Sequence, residues 1–487
     1  MKLRNLINSI NYTDLVNCED TSLEIEGVSY NSKKAKPNDI FICLTGEHVD
    51  GHEYAEEAVR NGATVCVVER ILNLDIPQIV VKNTQEILAE ISAEYYANPS
   101  QKINVIGVTG TNGKTTVSHL IQRLYEAMDE PCVLIGTLGY KFKSAERYHG
   151  GDHTTPQAPE LQRLMYYVNE RGFKNVVMEV SSHSLVQHRV DNVEFNGAVF
   201  TNLTQDHLDF HITMDNYFRA KSKLFEELVA GDFAVINNDD DYAEKLKMFI
   251  SPSVNIYTYG INNSSDVTAK NVKFSSDGAN FDCVVQGKKY KVKLMMNGMF
   301  SVYNILAAIT TALALGFDIQ KSIKTLENIT GVAGRFEIVV KKPTVIVDYA
   351  HTPDGLENVL RTARGMTPET GKLICLFGCG GDRDATKRPK MGKIAERLAD
   401  RVIVTSDNPR SENPQQIITD ILAGFKSVND VIVEPDREMA IKEAYKIANA
   451  NDVVLVAGKG HEDYQILANE TIHFDDREKV REIFVGE

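Results

Sequence analysis

Residues 105–116 read Val-Ile-Gly-Val-Thr-Gly-Thr-Asn-Gly-Lys-Thr-Thr. A lysine and a hydroxyl residue directly after a glycine turn are side chains that hold the phosphates of a nucleotide. Backbone N–H groups and a helix N-terminus face the anion, Lys114 bridges the β and γ oxygens, and the Thr115 hydroxyl can hold Mg2+. Gly110 and Gly113 permit the tight turn, so the candidate contact runs through Gly110, Thr111, Asn112, Gly113, Lys114, Thr115 and Thr116. The general pattern asks for one more glycine, five residues before Gly113, and Val108 stands there.

Other residues of chemical type end apolar runs. Glu179 follows Asn175-Val176-Val177-Met178 and can complete an Mg2+ shell begun by Thr115. His207, beside Asp206 and ahead of Asp209 and His211, offers a further metal ligand. Asp407-Asn408-Pro409-Arg410 puts a carboxylate, an amide and a guanidinium on one turn. Arg410 can grip a carboxylate bidentately and Asp407 can take an ammonium, which suits an amino-acid head group; the same stretch also reads as an Asp-initiated turn before a helix. Arg383 and Glu462 add complementary charge from neighbouring strand ends. Lys221 lies in a helical stretch, 217–225, where a lysine by itself reads as a solvated face residue.

The elements that must carry these residues follow an α/β rhythm. Val105–Val108 reads as a buried strand, and 117–128 has helical spacing, with Leu120, Leu124 and Met128 on one stripe. Apolar strands then recur, most running into polar clusters, as a mostly parallel sheet does at its ligand-binding carboxyl ends. Residues 253–295 alternate polar and apolar and read as short antiparallel strands on the edge of that sheet. Asn98-Pro99-Ser100 reads as a linker and Gly331–Glu337 as a hinge. Three units result: a small α/β unit over 1–98, a central phosphate-loop unit over 99–333, and a Rossmann-like α/β unit over 334–487.

Composition narrows the classes. With 43% hydrophobic and 25% charged residues, the chain is an ordinary globular one. No apolar run approaches a membrane span, and the N-terminus lacks a signal-peptide core. A net charge of −14 without a basic stripe argues against nucleic acid. Seven scattered cysteines, mostly in apolar runs, predict buried thiols in a reduced, cytoplasmic protein. Cys375 and Cys379 read better as one strand and one loop residue than as a metal pair.

The ordered motifs TGTNGKTT (109–116), EVSSHSLVQHRV (179–190), NLTQDHLDFH (202–211), AKSKLF (220–225), GVAGRFE (331–337), DYAHTPDGLE (348–357), GCGGDRD (378–384), DNPR (407–410) and AGKGHEDYQ (457–465) resemble the Mur ligases over the whole chain. The likeness is to the branch that extends a UDP-N-acetylmuramoyl-dipeptide. It implies a three-domain ligase with ATP bound by 110–116 and by Asn304, Arg335 and Asp348, and nothing in the sequence demands more than a monomer. UDP-MurNAc-L-Ala-D-Glu would meet Tyr30, Ser32, Glu47, His48 and Val49, then His153, Thr154, Thr155, Ser181, Gln187 and Arg189. Two stretches depart from the family pattern: His153 replaces a common Asn, and Asn31-Ser32-Lys33 replaces Asp-Ser-Arg. The resemblance further implies two Mg2+ ions held by Thr115, Glu179, His207 and a CO2-derived carbamate on Lys221. Catalysis would rest on Lys114, Lys221, His207 and Glu179. The intact DNPR motif implies meso-2,6-diaminopimelate, bound by Arg383, Asp407, Asn408, Pro409, Arg410, Gly458 and Glu462. The rivals are the same ligase using L-lysine, a folylpolyglutamate synthetase, and a nucleotide-switched binding protein.

Overall fold

The computed structural model describes residues 1–46, 49–151, 153–275 and 278–486. Three large sheets, each with helices on its faces, succeed one another along the chain, and a two-stranded one pairs Tyr464–Ile466 with Thr471–His473 near its end. The first has the strand order Asp14–Val16, Gln78–Val80, Val65–Val68, Asp39–Ile42, Gly27–Ser29, parallel except for the pair at 14–16 and 78–80. The expected linker at Asn98 is no loose tether. Pro99–Lys102 forms a 3-10 turn whose Ser100 hydroxyl accepts from the Glu194 N–H at 3.1 Å.

The second sheet is built around Asn104–Thr109, which lies between Asn175–Glu179 and Gly197–Phe200, parallel to both. Val105 and Val108 are fully buried because both faces of the strand are covered. The chain leaves this strand towards Cys132–Gly136 and Asn175–Glu179 on one side, and later returns to Gly197–Phe200 on the other. That reversal opens a crevice at the carboxyl ends, where doubly wound sheets bind ligands. The helix Lys114–Ala127 packs Leu120, Ile121 and Leu124 beneath it.

The reading of 253–295 as short antiparallel strands needs correction. Asn255–Gly260 is a parallel strand paired with Phe233–Asn237. Only Val267–Ser275, Gly278–Val285 and Lys288–Leu294 pair antiparallel with one another, and they are long. The outer end of Asn255–Gly260 is exposed, so its sequence alternates as a half-covered antiparallel strand would.

The third sheet has the order Glu337–Lys341, Thr344–Asp348, Val453–Ala457, Leu373–Phe377, Arg401–Val404, Val431–Val433. It is parallel apart from its first pair. Its four central strands end at Asp348, Ala457, Phe377 and Val404, so the segments after them share one edge. Cys375 lies in a strand and Cys379 just beyond it, both buried; all seven cysteines are free thiols. Among the described residues, no helix is long and apolar enough to cross a membrane.

Candidate active site

The phosphate loop connects Asn104–Thr109 to the helix starting at Lys114. Gly110 holds φ +146°, and a Cβ there would sit 1.9 Å from the Thr201 hydroxyl; at Gly113, φ +89°, it would sit 2.6 Å from Asn304 Oδ1. Only glycine fits either place. Asn202 shapes the same loop: its Oδ1 accepts from the Asn112 N–H at 2.9 Å and its Nδ2 donates to the Asn112 carbonyl at 3.1 Å. Thr201 donates to that carbonyl at 2.6 Å. Sequence reasoning assigned neither Thr201 nor Asn202, because their partners lie far away in the chain.

Lys114 donates to the Gly110 and Thr111 carbonyls, both at 2.8 Å, and burial pulls its pKa down. Thr115 donates to Glu179 Oε2 at 2.9 Å, and Thr137 binds the same carboxylate through its N–H and its hydroxyl, both at 3.0 Å. Thr115 and Glu179 thus form a pair of hard oxygen donors, the type Mg2+ takes. Arg335, within the hinge, donates to the Thr115 hydroxyl at 3.1 Å and lies over the Tyr349 ring at 4.1 Å. Asp348 caps the turn beside it, accepting from the Phe336 and Ala350 N–H groups at 2.6 and 2.7 Å.

Lys221 departs from the solvated-face reading. Its side chain is buried, with the residue 2% exposed, and its ammonium donates to the Gly110 carbonyl at 2.9 Å, the same oxygen that Lys114 uses. Burial first and the Lys114 charge second push its pKa well below the usual lysine range. A signal was present: Tyr217, Phe218, Leu224 and Phe225 stand three and four residues to either side of it, on one buried helix face. His207 lies 3.3 Å from Asp206, and burial drives its pKa well down, so the imidazole is neutral and able to bind a metal. Among the described residues no three His, Cys, Asp or Glu side chains gather as an ion site.

The third sheet's loops face this crevice. Asn408 Nδ2 donates to Glu462 Oε2 at 2.8 Å, and Asn408 Oδ1 accepts from the Ile466 N–H at 3.0 Å. Arg410, at φ +52°, donates to the Gly381 carbonyl at 2.8 Å, and Arg383 donates to the Asp382 carbonyl at 2.8 Å. Gly458 has φ +120° and passes close to Asp407, whose Oδ1 is buried without a hydrogen-bond partner. Pro409 completes the turn, its carbonyl accepting from the Glu412 N–H at 3.1 Å.

One cavity of about 1040 Å³ joins these groups. Thr111 to Thr116, Asn304, Arg335, Asp348, Glu179 and His207 line it, as do Arg383, Asp407, Asn408, Arg410, Gly458 and Glu462. His153, Thr154, Ser181 and Arg189 line it too, whereas Tyr30, Ser32, Val49, Thr155 and Gln187 do not. Thr155 is structural here, its hydroxyl donating to the Glu179 carbonyl at 2.9 Å. Arg189 donates to Gln187 Oε1 at 2.6 Å and to the Thr155 carbonyl at 3.1 Å, with its Nε buried and unpartnered. Tyr30 donates to Glu160 at 3.2 Å, Ser32 bonds Glu57, and Val49 is 56% exposed. Glu47 and His48 lie outside the described residues.

Known proteins were compared with the chain. Family profiles match as "Mur ligase family, catalytic domain" over residues 24–108, "Mur ligase middle domain" over 108–312, and "Mur ligase, glutamate ligase domain" over 334–460. The chain is 44% identical to a UDP-N-acetylmuramoyl-L-alanyl-D-glutamate–2,6-diaminopimelate ligase of Clostridium botulinum, covering 99% of each. It is also 44% identical to the protein of that name from Listeria monocytogenes, over 99% of this chain and 98% of the relative. A solved structure of a protein with that name aligns with a TM-score of 0.70 and 33% identity, over 100% of this chain and 99% of the other. A Mycobacterium tuberculosis folylpolyglutamate synthase shares the fold, with a TM-score of 0.63 at 16% identity over 75% of this chain and 91% of that one.

Proposed function

The chain belongs to the Mur ligase family, and from that premise we propose that it adds meso-2,6-diaminopimelate to the D-Glu γ-carboxylate of UDP-MurNAc-L-Ala-D-Glu, using ATP. The observation that carries this reading is the single cleft. It unites the phosphate loop and Glu179 with the Arg383, Asp407–Arg410 and Glu462 cluster.

The γ-carboxylate attacks the ATP γ-phosphorus, and ADP leaves. Lys114 and Arg335 offset the crowded negative charge, and the loop N–H groups orient the phosphates. Mg2+ bound by Thr115 and Glu179, and a second ion by His207 and carbamylated Lys221, would supply further charge neutralisation. The buried Lys221 amine supports the carbamate: its neutral form is favoured, and the neutral amine is what adds to CO2. The diaminopimelate amine then attacks the acyl phosphate. A tetrahedral intermediate collapses to the amide and phosphate. Arg410 and Arg383 hold the distal carboxylate of the amino acid, and Asp407 and Glu462 its ammonium. Closing the third unit over the central one excludes water. Tyr30, Ser32, Glu47, His48 and Val49 hold the UDP end, and Arg189 and Ser181 the dipeptide. We place the enzyme in the cytoplasm, which its unpaired cysteines support, and take it to act as a monomer.

The test is phosphate release with ATP, Mg2+, bicarbonate and UDP-MurNAc-L-Ala-D-Glu, with diaminopimelate, L-lysine or neither. Release with diaminopimelate alone is expected. Release with lysine would discard the assignment of 407–410, and silence with both would favour a nucleotide-binding regulator.

A further inference from the structure

Lys459 has no role in the reaction above, yet it is 0% exposed, buried directly behind the Asp407, Asn408 and Glu462 side chains that line the amino-acid pocket. Its ammonium donates to Asn408 Oδ1 at 3.1 Å and to Glu462 Oε2 at 3.2 Å, and lies 3.6 Å from Asp407 Oδ1, the oxygen without a hydrogen bond. Asn408 is thereby fixed. Its Oδ1 faces two donors, Lys459 and the Ile466 N–H, and its Nδ2 must point at Glu462. The other buried cation nearby, Arg437, is matched by Asp476 at 2.7 Å, and the Asp407 and Glu462 charges act on it less than Asp476 does.

The charges in the pocket can therefore be counted. Asp407 and Glu462 carry two negative charges and Lys459 one positive, leaving a net charge of one negative for one incoming ammonium. Arg383 and Arg410 stand with them in the cleft lining, where they can meet the carboxylate of the incoming amino acid. Without Lys459, the charge that opposes the upward push of burial and Asp407 on Glu462 is lost, which favours a proton on Glu462. A protonated acid loses the charge that an ammonium needs, and Asn408 would lose a donor that sets its amide.

We propose that Lys459 is a positioning and specificity residue for the amino-acid substrate, holding Asp407, Asn408 and Glu462 in the charge state and orientation that accept one zwitterionic head group. This rests on the assigned amino-acid site and adds a residue to it. The other titratable and charged groups facing Glu462 and Lys459 are Asp407, Arg410, Tyr464, Tyr349 and Arg437. Burial first and the Asp407 charge second already push Glu462 upward, with Lys459 opposing them.

The experiment is a double-variant cycle on the full-length enzyme, with Lys459→Met, Glu462→Gln and both together. KM for diaminopimelate is read over about pH 6 to 8, where carboxylates with raised pKa titrate. Lys459→Met should raise that KM by about tenfold or more, with KM for ATP and for the UDP-dipeptide within about twofold. Its amino-acid KM should fall as pH rises, because the protonated acid ionises; the parent should lack this slope. Glu462→Gln should cost about tenfold in the parent but less than about threefold on top of Lys459→Met, since the acid is already neutral there. Full additivity, or an amino-acid KM at the parental value, overturns the proposal. If Lys459→Met fails to fold, Lys459→Gln enters the same cycle. A parental amino-acid KM that itself falls with rising pH overturns the proposal without any variant. A parent silent with diaminopimelate fails the proposed function instead, so the two failures are distinct.

Discussion

Two residues of the cleft should fail in different ways. Lys114 sits in the phosphate loop, so Lys114→Ala removes a charge needed where the transferring phosphoryl group gains it. Phosphate release should fall by about a thousandfold, with melting temperature near the parent's. Arg410 sits at the other end, with its guanidinium on the Gly381 carbonyl and beside Arg383. Arg410→Ala should raise the diaminopimelate KM by about tenfold and leave ATP affinity alone. Steady-state kinetics with each substrate varied separates the two, and an unchanged amino-acid KM would remove Arg410 from its role. Legibility in the sequence follows the same division. The phosphate loop could be read because its demands are local: glycines at positive φ followed by Lys-Thr. Asn202 and Lys459 were not assigned because their roles exist only through residues distant in the chain or behind several turns. Lys221 was assigned through the resemblance, although its apolar neighbours one helical turn away on both sides carried the signal of burial.

At the scale of elements, Asp50 organises the turn that precedes the helix Ala55–Arg60. It caps Gly51–Tyr54, accepting from the His52 N–H at 2.9 Å, from His52 Nδ1 at 2.6 Å and from Arg70 at 2.6 Å. His52 Nε2 accepts from the Glu69 N–H at 2.8 Å, so the ring proton shared with Asp50 is on Nδ1. Burial alone would raise the Asp50 pKa, but these donors bring it down to about 2. A carboxylate depressed on folding stabilises the fold above its unfolded-state pKa, and the stabilisation fades as pH falls through the folded value. Asp50→Asn should thus lower the melting temperature by about 3 °C at neutral pH, and the gap should close from about pH 4 downward. Calorimetry across pH checks this; a gap that persists at pH 2 would mean that turn geometry, not charge, is what the substitution removes. The strand at Asn255–Gly260 gives the matching lesson about legibility. Its alternation was visible, but its parallel direction depends on Phe233–Asn237 beside it, which period alone does not reveal.

At the scale of the molecule, the reaction needs the phosphate loop and the amino-acid loops in one cavity, although they belong to different sheets. The third unit is held against the central one by a few polar contacts and by Phe300, whose ring lies 5.7 Å from that of Phe336. Asn112 donates to Asp354 at 2.9 Å, Gln205 donates to Asp384 at 3.2 Å and to Thr386 at 2.9 Å, and Lys390 also bonds Gln205. Asp206 lies 3.4 Å from Lys387 and 3.5 Å from His351, and Arg335 reaches Thr115. Each such contact contributes about 1 kcal/mol, so closure is reversible, as an enzyme that must admit a bulky nucleotide-linked substrate requires. Thr386 and Lys390 touch neither the phosphate loop nor the amino-acid turn, and Thr386→Ala with Lys390→Ala removes two partners of Gln205. The loss should favour the open form by about 2 kcal/mol. The ATP KM should then stay within about twofold while kcat falls by roughly tenfold or more. Because an open cleft admits water to the acyl phosphate, phosphate released per amide formed should rise above one. Small-angle scattering should show a larger radius of gyration. If kcat and the ratio of phosphate to amide both remain at parental values, these contacts do not govern closure, and the docking rests on the others, Asp206, Arg335, Asn112 and Phe300 among them.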